Sequence, residues 1–121
     1  MAHWFYIALS VILTSIGQLF FKKGMLILSH NHPQASLGKL MLLALVNSQV
    51  LLGFFSFGAG AVLWLGVLAR EEVSYAYPLS SLGYIIVLIG SYFLFHEHLS
   101  LSRVIGILLL IAGAVFIEYS R

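Results

Sequence analysis

Apolar residues run almost unbroken from Trp4 to Leu28, from Leu37 to Leu68, from Val73 to Phe95 and from Leu99 to Tyr119, with polar or charged residues gathered between the runs. Runs of this length approach the ~20 apolar residues that a helix needs to cross a bilayer. The pattern predicts spans over about 4–28, 50–69, 74–95 and 99–119. The polar loop Ser29 to Ser36, with Pro33 inside it, separates the first run from the second. The second run is too long for one crossing, since about 1.5 Å per residue carries it well past a hydrocarbon core of ~30 Å. The trio Asn47-Ser48-Gln49 is its natural break, leaving a short interfacial segment over 37–46 and a span that begins near Val50. One long tilted helix is the alternative.

Arg70-Glu71-Glu72 ends the second span, and His96-Glu97-His98 ends the third. Leu79 to Phe95 alone is short for a crossing, so Tyr75 and Tyr77 are assigned to the third helix. Pro78 then removes the hydrogen bond to the Ser74 carbonyl and predicts a kink, with Ser80 and Ser81 placed to satisfy freed backbone groups. The expected architecture is an all-α membrane protein, a bundle of four transmembrane helices forming one domain over 1–121.

Small residues recur along the spans: Gly53, Ser56, Gly58 and Gly60 in the second, Gly83 and Gly90 in the third, Gly106 and Gly113 in the fourth. They let helix backbones approach closely where apolar burial offers no driving force. The Gly106 and Gly113 pair, two turns apart with Ala112 and Ala114 nearby, is expected at an oligomer contact. On the first span Ser10, Thr14, Gln18 and Lys22 follow one another four residues apart and draw a polar stripe that ends in a cation. Such a stripe should face protein or water. The competing reading has Lys22 and Lys23 snorkelling to the headgroups as ordinary positive anchors.

Composition agrees with the pattern: of 121 residues 61% are hydrophobic and 8% charged, where soluble domains carry about a quarter charged. The absence of cysteine excludes disulfides and thiolate metal sites. The net charge of +2 comes without any basic run that could follow a nucleic acid backbone, which argues against a nucleic acid partner. The first run lacks a basic leader and a small-x-small cleavage site and is too long for a signal peptide, so it is expected to stay in the protein.

Four crossings put Lys22, Lys23, Lys39 and Arg103 on one side and Arg70 and Arg121 on the other. Positive charge therefore places the His30 loop in the cytoplasm, but the bias disappears if the two lysines of the first span are embedded, a balance that would suit insertion both ways round. Glu71, Glu72, Glu97 and Glu118 all fall at helix ends, so no carboxylate is expected mid-membrane to exchange a proton for a cationic substrate. Glu97 shares a side with Lys22 and Lys23 and is a candidate partner for either; two separately hydrated charges are the alternative. Neither His96 and His98 around Glu97 nor His30 and His32 is read as a metal site, because alternate residues on a helix point apart. No nucleophile, base and acid set, phosphate loop or acid pair points to an enzyme, and no cofactor is expected.

Val73-Ser-Tyr-Ala-Tyr-Pro-Leu-Ser-Ser-Leu-Gly83, His96-Glu97-His98-Leu99-Ser100 and Gly106-Ile-Leu-Leu-Leu-Ile-Ala-Gly113 resemble the drug/metabolite transporter superfamily in its short four-helix form. Gly17 with Lys22, and Val62-Leu63-Trp64-Leu65, extend the likeness over most of the chain outside the His30 loop. Small multidrug resistance proteins share the glycine pair, in that family a dimer seam, but carry an essential glutamate where this chain has Thr14; drug, guanidinium or polyamine antiport fits poorly. Ala76-Tyr77-Pro78 with the serine and leucine that follow, the His96-Glu97 turn, and Gly17-Gln18 with Lys22 and Lys23 are closer to the EamA-like small proteins and the subunits of the aminoarabinose undecaprenyl-phosphate flippase.

That resemblance implies movement of a polyprenyl-phosphate-linked sugar, or a similar lipid, across the cytoplasmic membrane. The physical case adds a cation within a span, no mid-membrane acid, and tyrosines that offer ring surface and hydroxyl to a sugar. The expected substrate-binding set is Lys22, Gln18, Thr14, Tyr75, Tyr77, Tyr84, Ser80 and Ser81, with Lys23 and Glu97 as an ion pair or gate. Membrane lipids, and a second copy or a related small membrane protein completing a homodimer or heterodimer, are the expected partners. A cation or drug exporter and a non-transporting subunit of a larger assembly are the alternatives.

Overall fold

The computed structural model describes the backbone of residues 2–120 and the side chains of residues 4–120. Arg121 of the charge count lies outside the described side chains. The chain is an all-α, four-span membrane bundle: α1 (Ala2–Asn31), α2 (Leu37–Ala44), α3 (Ser48–Arg70), α4 (Val73–Leu79), α5 (Gly83–Phe95) and α6 (Leu101–Tyr119). The third span is α4 and α5 joined by a single 3-10 turn, Ser80–Leu82.

α1 extends past Leu28 to Asn31, and the His32 amide still bonds the Leu28 carbonyl at 2.9 Å. Pro33 follows and has no amide to continue the ladder. Ser36 then caps α2, its Oγ accepting from the Lys39 amide at 3.3 Å. At eight residues α2 is too short to cross. It buries Ala44 against Leu28 and Val50, with Leu40 and Leu43 alongside, and turns Leu37, Met41 and Leu42 outward.

Asn47 is where the long apolar run divides. Its Oδ1 accepts from the Gln49 and Val50 amides at 3.0 and 3.1 Å, satisfying two of the donors that an α-helix leaves open at its start. Gly24 of α1 makes room for this cap, since a Cβ there would lie 2.6 Å from Val50 Cγ2 and 2.8 Å from Asn47 Oδ1.

α1 and α3 form the most closely packed pair. A Cβ on Gly17 would meet the Gly53 carbonyl at 2.8 Å, and one on Gly60 would meet Thr14 Cγ2 at 2.7 Å and the Ser10 carbonyl at 3.0 Å. Ser10 Oγ donates to the Gly60 carbonyl and Ser56 Oγ to the Leu13 carbonyl, both at 2.7 Å. α5 joins α1 in the same manner: Gly83 fits against Ser15, whose Oγ donates to the Gly83 carbonyl at 3.4 Å, and Gly90 fits against Leu19. Close backbone approach with hydroxyl-to-carbonyl bonds is how helices associate in lipid.

Pro78 stands inside α4, and the α-helix gives way two residues later to the 3-10 turn, where Ser80 Oγ donates to the Tyr77 carbonyl at 2.5 Å. α5 ends on His96 in the left-handed region, φ 55°, and the His96 and Glu97 amides both turn back to the Ser91 carbonyl. His96 and His98 thus lie in a linker outside any helix, and the point-apart geometry expected of them does not apply. Among the described residues no three potential metal ligands gather. The fourth span begins at Leu101, two residues later than expected, because Ser100 caps it with Oγ accepting from the Arg103 amide at 3.1 Å.

The main core lies toward the end of the bundle that holds the start of α1, the α3–α4 connection and the end of α6. Ile7, Val11, Val67, Tyr75, Ala76, Leu79 and Ala114 pack there, with Trp4, Trp64, Leu82 and Ile117 around them. α6 packs on α4 and the 3-10 turn but diverges from α5, and only Ala114 of its residues is buried. A Cβ on its Gly106 or Gly113 would meet no other part of the described chain within 4 Å.

Candidate functional site

The polar stripe of α1 opens onto a cleft of roughly 750 Å³ bounded by α1, α3, α4 and the start of α5. Ser10 and Ser15 spend their hydroxyl hydrogens on packing. Thr14 Oγ1 donates to the carbonyls of Ser10 and Val11, at 3.0 and 3.2 Å, as a hydroxyl in an apolar helix commonly does. The cleft therefore meets Thr14 as an acceptor. Gln18 projects into it one turn further along.

The opposite wall exists because Pro78 breaks the regular helix. The turn that follows presents Ser80 and Ser81 to the cleft, with Tyr77 before them and Tyr84 after them. Trp64 of α3 closes the wall beside Tyr77, the two rings edge to face with centroids 6.5 Å apart. Gln18, Tyr77, Ser81 and Tyr84 make no side-chain hydrogen bond to any described residue, so their donors are available.

Six of the eight expected substrate residues, Thr14, Gln18, Tyr77, Ser80, Ser81 and Tyr84, come together here. Two do not. Tyr75 is 7% exposed and its hydroxyl donates to Glu118 Oε2, while Trp4 Nε1 donates to Glu118 Oε1 at 3.2 Å. Tyr75 sits two residues from Tyr77 on a helix, where such neighbours point to different sides. Lys22 lies one turn beyond Gln18, outside the cleft wall, with Nζ 3.8 Å from Glu97 Oε1 and the two side chains 50% and 37% exposed. So wide and exposed a pair is loosely held and opens easily.

Lys22, not Lys23, is the lysine that faces Glu97. Lys23 lies instead along an apolar recess with Ile16, Leu19, Leu94 and Phe95. One residue of helix rotates a side chain by about 100°, which sends the two lysines to different surfaces. Glu97 also lines a groove of roughly 590 Å³ between α5 and α6, together with Arg103, whose Nη1 donates to the His98 carbonyl at 3.0 Å. Tyr84 and Val87 line both cleft and groove.

Trp64, Arg103 and the Trp4–Glu118 contact were not among the expected site residues. An indole placed within an apolar span was the available signal for Trp64, since its N–H seeks a partner there. Nothing local marks Glu118, which meets Trp4 from 114 residues away.

The model of the EamA-like transporter family matches residues 2–119. A probable 4-amino-4-deoxy-L-arabinose-phosphoundecaprenol flippase subunit ArnE from Aeromonas salmonicida is 34% identical over 111 residues, 92% of each chain. The protein so described in Pseudomonas fluorescens is 37% identical over 67 residues, 55% of this chain and 59% of that one. A third, from Aeromonas hydrophila, is 38% identical over 60 residues, 50% of this chain and 53% of its own length. With several of these relatives, then, the match spans just over half of the relative's length. No solved structure matches.

Proposed function

From the premise that this chain belongs to the EamA-like transporter family, we propose that it is a small non-enzymatic flippase subunit that moves an anionic amphiphile, a polyprenyl-phosphate-linked sugar or similar lipid, across the cytoplasmic membrane. The observation that carries the reading is the cleft itself, with hydroxyl, amide and aromatic walls and a lysine one helical turn outside it. A lipid keeps its tails in the bilayer, so the protein need only shield the headgroup. A short bundle is adequate for that.

In this reading Lys22 leaves Glu97 and takes the phosphate. The exchange replaces one loosely held anion with another and never leaves a bare cation in the membrane. Thr14, Gln18, Ser80, Ser81, Tyr77 and Tyr84 receive the sugar. The relatives named as flippase subunits support an assembly with a second small membrane protein, or with a second copy, and the open Gly106 and Gly113 surface of α6 is the face we assign to it.

The rival is a proton-coupled cation exporter. It needs a carboxylate in the substrate path, and the cleft wall has Thr14 and Gln18 on α1 with no acid among its lining residues. The deciding experiment extracts the lipids that co-purify with the protein, identifies them by mass spectrometry, and asks whether vesicles containing the protein move them faster than protein-free vesicles. Bound phosphorylated lipid with accelerated movement is the expected result. No phosphorylated lipid, together with proton-driven movement of an organic cation, would overturn it in favour of the exporter. Bound lipid that stays unmoved even when a co-purifying membrane protein is included in the vesicles would make this chain a non-transporting subunit.

A further inference from the structure

Resting on the reading that the cleft takes a lipid-linked sugar, we infer that the sugar accepted by this chain is uncharged and rich in hydroxyls, and that an amino sugar is disfavoured. None of the residues that line the cleft is charged. Its unspent donors are neutral: the Gln18 amide and the hydroxyls of Tyr77, Ser81 and Tyr84. Thr14 and Ser80 have committed their hydrogens to backbone carbonyls and present only lone pairs. Donors and acceptors are thus interleaved around the aromatic faces of Trp64 and Tyr77, and a sugar hydroxyl, which both donates and accepts, fits each kind of group.

An ammonium fits worse. It carries donors only, leaving the four neutral donors without an acceptor on that substituent. It also brings a full charge out of water to a site that provides no countercharge. Neither carboxylate that approaches the spans lines the cleft: Glu97 lies in the neighbouring groove between α5 and α6, and Glu118 is held by Trp4 and Tyr75. Glu71 and Glu72 lie in the connection between α3 and α4. The ring faces of Trp64 and Tyr77 attract a cation, but more weakly than a carboxylate does. In a sugar joined to phosphate at C1 and aminated at C4 the ring holds the two charges apart, so the lipid's own phosphate is poorly placed to neutralise the amine. The relatives' printed cargo is such an amino sugar, and the inference separates this chain from them.

The test compares two synthetic lipids with the same short polyprenyl chain, one carrying phospho-arabinose and the other phospho-4-amino-4-deoxyarabinose, bound to the full-length protein in lipid nanodiscs at neutral pH. The neutral lipid is expected to bind about tenfold more tightly, a difference of about 1.4 kcal/mol. Ser81→Asp, on the wall opposite α1, should reverse the preference; Gln18→Glu, nearly isosteric, is the second variant should Ser81→Asp fold poorly. Equal or tighter binding of the amino lipid by the native protein would overturn the inference and leave the lipid-sugar reading standing. A neutral preference that neither variant shifts would also overturn it, by taking the sugar out of this cleft. Failure of both lipids to bind would overturn the reading as well.

Discussion

The α1–α3 pair and α6 carry the same signature, glycines set along an apolar span, and the bundle uses them in opposite ways. Between α1 and α3 the seam is filled from both sides: Gly17 faces Gly53 and Phe57, Gly53 faces Phe21, and Gly60 faces Ser10 and Thr14. On α6, Gly106 and Gly113 face open space, and the helix is held to its neighbours by Ala114 and Ile117 in the core and by Glu118. A small-residue stripe therefore says that something approaches closely without saying what. For α3 the partner is another helix of this chain. For α6 the face is open within this chain, and we propose that a protein partner covers it.

Breaking the filled seam should have the largest effect. Gly53→Leu puts a branched side chain where a Cβ alone would lie 2.9 Å from the Gly17 carbonyl, a backbone atom that cannot swing aside. The loss should exceed about 3 kcal/mol, seen as failure to recover monodisperse protein. Normal yield and an unchanged melting temperature would mean that α1 and α3 are not in contact.

Releasing α6 should be milder. Glu118→Ala removes the acceptor of two hydrogen bonds that tie α6 to α1 and α4, and should lower stability by about 2–3 kcal/mol. Tyr75→Phe keeps the ring in the core and should cost about 1–2 kcal/mol. Thermal melts in detergent measure both, and equal stability of Glu118→Ala and the parent would leave apolar packing alone to hold the helix.

Gly113→Leu should have the smallest effect on the fold, within about 0.5 kcal/mol, because nothing within 4 Å opposes the new side chain. Its consequence belongs to assembly. Crosslinking in lipid should show the oligomer or hetero-oligomer reduced while the melting temperature holds. Assembly unchanged in both detergent and lipid would remove α6 from the interface.

Much of this was legible from the order of residues. Pro33, Asn47, Arg70 and Glu97 stand at or beside the breaks between elements, because a missing amide, a capping side chain or an embedded charge acts locally. Six cleft residues could be named because Ser10 to Lys22 repeats at helical spacing and because Pro78 predicted a local departure from regular helix. Tyr75 lies outside the cleft because its hydroxyl is taken by Glu118, 43 residues away, which no local pattern reports. Lys23, expected opposite Glu97, faces another surface and Lys22 takes that place, because consecutive helical residues are rotated by about 100°. The places of Trp64 and Arg103 at the cleft and the groove are not legible in the sequence, because both hollows are made by the meeting of helices, which no single periodicity reports.

The central claim is that Lys22 exchanges Glu97 for a lipid phosphate at the mouth of the cleft. It is tested most directly by the rate at which a fluorescent polyprenyl-phosphate sugar crosses vesicles containing the native protein, Lys22→Met or Lys23→Met, together with whatever partner co-purifies. Methionine keeps the apolar stem and removes the charge, so insertion should be retained in both variants, and quantitative immunoblotting of the vesicles checks it. The account predicts that Lys22→Met lowers the rate by about tenfold or more, the loss of a charge-assisted contact of roughly 1.5–3 kcal/mol, while Lys23→Met stays within about twofold of the parent. Equal small losses in both variants, as two interchangeable membrane anchors would give, or a Lys22→Met rate equal to the parent's, would contradict it.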